Sequence, residues 1–271
     1  ALAFSPDGKL LASASHDRSV RLWRLGAKGS AASQPASSEL LFEDDEPLTS
    51  VAFSPDGKLL ASGGVGEIRL WSLDGKAGSA AKALGAPLGG HDDTVSALAF
   101  SPDGQLLASA GFDGRLLLWN TAARQQSGVP LVKGGGRLHQ IAFSPDGKLL
   151  AAAGADATLK LFDVATRRAR GRPLSGHQYA VYGLAFAPSG ETLASVGADA
   201  TLRLWSVTSG RPLSSPLRGH GGTIYAVAYS PDGALLATGS ADRSVWLWQT
   251  THLDAATLRE RIDALTNLKI E

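Results

Sequence analysis

The chain has 271 residues, 44% apolar and 19% charged, with 26 basic residues against 25 acidic ones. That balance supplies no whole-chain field to draw it to nucleic acid or a membrane surface, and zero cysteines exclude disulfides, thiolate metal sites and thiol redox chemistry. No apolar run approaches the ~20 residues of a membrane-spanning helix and no leader pattern is present, so a cytoplasmic protein is expected. The first residue is not Met and Ala1 already falls in a strand-type run, so the chain reads as a fragment or processed piece of a longer protein.

One pattern returns six times, opening at Ala3, Ala52, Ala99, Ala142, Ala185 and Ala228, in steps of 49, 47, 43, 43 and 43 residues. A fixed period of this size is the mark of a repeat architecture. In the third copy, Val95–Phe100 is a run of strand formers, and Ser101-Pro102-Asp103-Gly104 supplies a Pro-preset turn closed by glycine. Leu106–Ala110, the turn Phe112-Asp113-Gly114 and the run Leu116–Trp119 follow. Looser segments such as Gly128–Lys133 and Arg211–Leu217 each add a fourth short strand. Four antiparallel strands per period make one propeller blade, and the runs are apolar on both parities, as sheets covered on both faces require. The fold expected is all-β, with six recognisable four-stranded blades over about 1–43, 48–89, 94–133, 138–175, 181–217 and 224–250.

In chain order, blade one carries a Gly/Ala/Ser stretch, Gly26–Ser38, expected to be a mobile loop, then a fourth strand over Glu39–Phe42. Glu43-Asp44-Asp45-Glu46 follows and reads as a solvated loop, a cation or basic partner being the other reading. Blade two has an insertion at Asp74–Ala86. Blade four holds Arg167, Arg168, Arg170 and Arg172, a cluster that could contact phosphates. It is short and lacks interleaved aromatics, which argues against nucleic acid. Residues 251–271 are too short for a blade and read as a helix, with Asp254 as N-cap and Leu258, Ile262 and Leu265 on one face. Blade six has no evident fourth strand. Either a ring of seven blades is completed by residues outside this chain, or the tail closes a ring of six through Leu268–Ile270.

Gly90-His91 followed by Ser109, Asp113 and Trp119 resembles the glycine-histidine to tryptophan-aspartate pattern of WD-repeat β-propellers, and the resemblance covers about residues 1–250. It implies a hydrogen-bonded network inside each blade: His91, Ser109, Asp113 and Trp119 in blade three; His177, Ser195, Asp199 and Trp205 in blade five; His220, Thr238, Asp242 and Trp248 in blade six. Blade four departs, with Gly134, Ala152, Asp156 and Phe162, so Asp156 is expected to have lost its partners. Blade two has Asp44, Ser62 and Trp71 around a turn one residue short and without its Asp; blade one has Ser13, Asp17 and Trp23. Ser, His and Asp also compose a hydrolase triad. A nucleophile needs one copy, however, and this constellation recurs with one spacing and without a G-x-S-x-G elbow. No catalytic residue, metal ligand or cofactor is expected.

Function is sought where the framework stays constant and a column varies. Thr49, Ser96, His139, Tyr182 and Tyr225 are in phase at the start of the first strand, a place the resemblance puts near the channel mouth. A second column precedes the turn Asp: His16, Phe112, Ala155, Ala198 and Ala241. Large aromatics are typical anchors for a protein or peptide, with Tyr179, Arg137 and Asp93 as a polar rim; the alternative is that the tyrosines are half-buried packing. The expectation is an interaction scaffold or regulatory module that binds a protein, a peptide or other domains of its own polypeptide, similar to bacterial propellers appended to signalling, protease or NTPase domains. Two other readings stay open: an enzyme with a channel-mouth site, and a structural subunit that completes its ring with a second chain.

Overall fold

The computed structural model describes residues 1–25, 38–43, 45–73, 81–250 and 268–270, and every regular element among them is a β-strand. They form two compact units, Ala1–Leu138 and His139–Glu271, each with three repeats. Most of the Gly/Ala/Ser stretch, Asp44, much of the second insertion and most of the expected tail helix lie outside the described residues. Of that tail, Leu268–Ile270 is a strand, paired antiparallel with Val245–Leu247 as the fourth strand of blade six.

Each repeat folds as an antiparallel meander because its corners leave no alternative. In five copies Ser-Pro-Asp-Gly closes the first hairpin in one way. Ser101 Oγ donates to Asp103 Oδ1 at 2.6 Å and accepts the Leu106 N–H at 2.9 Å, while Asp103 accepts the Gln105 N–H at 3.0 Å. The same set recurs at Ser5, Ser54, Ser144 and Ser230. Gly104 takes φ +70°, the left-handed region a β-carbon would strain. Blade five uses Ala187-Pro188-Ser189-Gly190 and keeps the backbone turn without the serine bonds; Gly190 N–H still donates to Ala187 O. At the second turn the residue after the Asp is also left-handed. It is glycine in blade three (Gly114, φ +74°) but Arg18, Ala157, Ala200 and Arg243 elsewhere, at φ +55° to +72°.

The second strands of blades two to five are buried on both faces, and Leu149–Gly154 is buried throughout. The core lies between successive blades. Ala12, Val20 and Leu22 of blade one pack with Leu60 and Trp71 of blade two; Ala61, Ile68 and Leu70 of blade two pack with Leu107, Leu117 and Trp119 of blade three. In the second unit Ala151, Leu159 and Leu161 meet Leu193 and Trp205, and Ala194, Leu202 and Leu204 meet Leu236 and Trp248. Within each unit, a blade thus presents an Ala/Leu face to the Leu/Trp face of the next. On the first strand of blade one, Leu2 and Phe4 are 69% and 66% exposed.

Two expectations need correction. A break was expected between blades two and three, over Gly90–Asp93, but Leu88–Phe100 is one continuous strand joining both sheets. The shortened turn of blade two explains it: without the Asp, Val65 pairs with Thr94 and the Val95 N–H donates to Gly64 O at 2.9 Å. The fourth strands of blades three to five are also shorter than expected. They are two-residue stubs, Val132–Lys133, Leu174–Ser175 and Leu217–Arg218, because Pro130, Pro173 and Pro216 cannot donate to a ladder. Blade one, with no proline there, forms six-residue Ser38–Glu43.

The Ser101 hydroxyl is buried and satisfies a backbone N–H. Replacing it in Ser101→Ala leaves the Leu106 N–H without that acceptor, and the expected loss is ~1–3 kcal/mol in chemical denaturation. An unchanged midpoint would show that the corner does not depend on its serine.

Candidate functional site

Three blades contain one relay, built from a strand lead-in, the second and third strands, and the turn between them. In blade three Trp119 Nε1–H donates to Ser109 Oγ at 2.8 Å, and Ser109 Oγ lies 2.8 Å from His91 Nε2. His91 Nδ1 lies 3.0 Å from Asp113 Oδ2. A carboxylate can only accept, so the network assigns the proton to Nδ1, makes Nε2 the acceptor of the serine hydroxyl, and fixes a neutral imidazole. Asp113 also accepts the N–H groups of Asp92 and Arg115 at 3.0 and 2.9 Å. Blade five repeats this with Trp205, Ser195, His177 and Asp199 at 2.8, 2.8 and 3.0 Å. Blade six repeats it with Trp248, Thr238, His220 and Asp242 at 2.9, 2.8 and 2.8 Å. All twelve side chains take part in these bonds, and the Ser109, Ser195 and Thr238 hydroxyls are buried.

Glycine precedes each histidine for reasons of space, not of φ. A β-carbon on Gly90 would lie 3.0 Å from the Trp119 ring, one on Gly176 3.1 Å from Trp205, and one on Gly219 would overlap Trp246. Burial holds the His91 and His177 imidazoles below the ordinary histidine value, outweighing their Asp partners. Burial works against the Asp113 and Asp199 carboxylates, but their N–H, hydroxyl and imidazole donors prevail and hold them below the usual carboxylate range. The Ser244 hydroxyl, with the Gly221 N–H and His220, holds Asp242 low as well.

Blades one and two keep part of the relay: Trp23 Nε1–H donates to Ser13 at 3.0 Å and Trp71 Nε1–H to Ser62 at 3.1 Å. Asp156 of blade four has lost its relay partners, as expected, but has taken others. Lys160 Nζ reaches its Oδ2 at 2.6 Å and Thr158 donates to its Oδ1 from Oγ1 and N at 2.9 and 3.1 Å. With Phe162 for Trp and Ala152 for Ser, a surface ion pair replaces the buried relay.

The variable column divides into two kinds. Thr49 Oγ1 donates to Val95 O and Ser96 Oγ to Leu138 O, both at 2.7 Å, so these hydroxyls brace the following repeat. The other three positions carry rings in contact: His139 and Tyr182 with centroids 4.7 Å apart, Tyr182 and Tyr225 5.3 Å apart. Tyr182 is half-buried and Tyr225 is 55% exposed. Ser96, Tyr182 and Tyr225 each sit in a β-bulge, the extra residue between Val95, Val181 or Ile224 and the next paired position. A bulge re-aims a side chain and is common beside binding sites. The sequence signal was available: each bulge residue follows a buried Val or Ile. Tyr179 is 62% exposed. In the first unit the exposed Arg137 guanidinium stacks 4.9 Å over the half-buried Phe112 ring. Asp93 is half-buried and accepts the Thr94 N–H, and His16 is exposed. Among the described residues no group of three or more His, Cys, Asp or Glu could hold a metal ion, and no helix is long and apolar enough to cross a membrane.

Two outcomes follow from the relay. Asp199→Ala strands a buried imidazole N–H and is expected to cost ~1–3 kcal/mol, whereas Asp156→Ala, at a partly exposed pair, costs at most ~1 kcal/mol; paired urea titrations compare them. On acidification the unfolded chain takes protons that folded His91 and His177 refuse. The stability they contribute is therefore present above the ordinary histidine value and lost as pH falls below it. The Asp groups act in the same sense at lower pH. Tm should be level from pH 8 to 7 and fall below about pH 6.5, and a Tm that rises there contradicts the neutral relay.

No curated protein is significantly similar in sequence to the chain. The family description "WD domain, G-beta repeat" matches six segments, 1–24, 39–72, 83–120, 132–163, 170–206 and 210–249. Each ends at the third strand of a blade, and together they contain all three complete relays, whose histidine-to-tryptophan order is the one the sequence resemblance implied. The chain belongs to the WD40, G-beta repeat family.

Proposed function

We propose that the chain is a recognition module, a scaffold or regulatory domain that binds a protein or peptide at the aromatic run His139, Tyr182 and Tyr225. WD40 repeats generally mediate protein–protein interaction and are typically non-enzymatic. The observation that carries the reading is the ring-to-ring contact of these three side chains, with Tyr225 more than half exposed and two of the three placed on bulges. Elsewhere in the column a hydroxyl is consumed in bracing the backbone; here the framework holds large, amphipathic rings at the surface instead. Tyrosine offers wide contact area and a polar tip for little conformational entropy, which suits a binding anchor. Tyr179, on the lead-in to the same strand as Tyr182, extends the apolar contact. Phe112 with Arg137, Asp93 and His16 are assigned to secondary contacts on the first unit, and a cytoplasmic setting is part of the proposal.

Random peptides displayed on phage and selected against the wild-type chain test this. Enriched peptides should bind Tyr182→Ala/Tyr225→Ala at least about tenfold more weakly, about 1.4 kcal/mol, with its strand circular dichroism unchanged. Equal binding by wild type and double variant would remove the aromatic run as the recognition surface.

A further inference from the structure

Within the second unit, the seam between blades four and five gathers arginines at its outer rim. Leu159 and Leu161 of blade four pack there with Leu193 and Trp205 of blade five. Residues opposite one another on paired antiparallel strands share a face. Arg168 pairs with Asp163, and the Arg170 N–H donates to Leu161 O at 2.7 Å, so both arginines stand on the face of Leu159 and Leu161. Arg218 pairs with Thr201, so it stands with Arg203 on the face of Trp205. Two arginines from each blade therefore border one groove, at the edge strands Arg168–Ala169 and Leu217–Arg218.

Arg168, Arg170 and Arg218 are exposed and form no ion pair within 4 Å among the described residues. Asp163, opposite Arg168, instead accepts the Thr166 N–H and hydroxyl at 2.7 and 2.8 Å. The Arg203 side chain is only 13% exposed, and its Nε–H has no hydrogen-bond partner among the described residues. Asp199 Oδ2 lies 4.0 Å from it and already meets His177. Burial holds the Arg203 guanidinium below its ordinary value; the Arg218 charge acts in the same sense and Asp199 against it.

We propose that this groove receives an extended peptide segment with acidic residues at alternate positions. Arg168 and Arg170 are two residues apart on one side of a strand, about 6.6 Å, and alternate side chains of an extended peptide have the same spacing. The outward N–H and C=O groups of an edge strand can meet the peptide backbone. A guanidinium fork matches a carboxylate, and a carboxylate against Arg203 supplies the acceptor that its Nε–H lacks. Single-stranded nucleic acid sites combine charge with stacking rings, whereas the rings on these strands, Phe162 and Trp205, are buried. The groove lies at the fourth strands and the aromatic run at the first, the opposite edges of the sheets.

The probe is a short fluorescein-labelled peptide alternating glutamate and threonine, followed by fluorescence anisotropy. It should bind the wild-type chain more tightly than a peptide of the same composition with its glutamates in one block, and weaken as ionic strength rises toward about 0.15 M. Arg168→Gln/Arg170→Gln on one side of the groove, and Arg203→Lys/Arg218→Gln on the other, should each weaken it at least about tenfold with circular dichroism unchanged. Arg124→Gln/Arg243→Gln, which removes two charges from other blades, and Tyr182→Ala/Tyr225→Ala should bind as wild type does. Equal weakening by the Arg124/Arg243 variant, or full binding by the Arg168/Arg170 variant, would overturn the proposal. So would a single-stranded oligonucleotide of equal charge that binds more tightly and responds to the same variants.

Discussion

A polar atom inside a sheet covered on both faces costs free energy unless a partner meets it. That constraint shapes every complete blade. An indole is large enough to fill the space between sheets, but its N–H must be answered; serine answers it, imidazole answers the serine, and aspartate answers the imidazole. The chain of donors ends at a carboxylate near the surface, where backbone N–H groups complete its coordination. Blades three, five and six keep the relay complete, blades one and two keep its Trp–Ser link, and blade four replaces it wholesale. There Phe162 removes the first donor, Ala152 the second member, and Asp156 turns outward to Lys160.

The Ser-Pro-Asp-Gly corners apply the same logic to the backbone. A tight hairpin leaves N–H groups without ladder partners; the serine and aspartate side chains take them, and glycine accepts the left-handed φ. With corners and relays both self-contained, the framework makes few demands on the residue at the head of each first strand. That position tolerates threonine and serine as backbone braces and histidine and tyrosine as surface rings. Side chains can vary there without disturbing the packing of Ala/Leu faces on Leu/Trp faces.

Blade two shows what one deleted residue does. Loss of the turn Asp brings Val65 into pairing with Thr94 and converts a corner into continuous strand. The retained bond from Trp71 to Ser62 shows that the first link of the relay stands without the last two when the indole is fully packed.

The six repeats, the corners, the meander order and the three relays were legible in the linear sequence, because each rests on residues within about one period and on side-chain chemistry that recurs with fixed spacing. The partnership of Asp156 was not, since it depends on where Lys160 lands across the turn. Nor was the fusion of blades two and three, which depends on a backbone pairing between residues 29 apart, Val65 and Thr94. The division of one sequence column into backbone braces and contacting rings was likewise decided by tertiary structure. Whether a hydroxyl meets the next repeat's carbonyl, or a ring meets the next repeat's ring, is set by how successive sheets stack, and stacking is a property of surfaces that no single repeat contains.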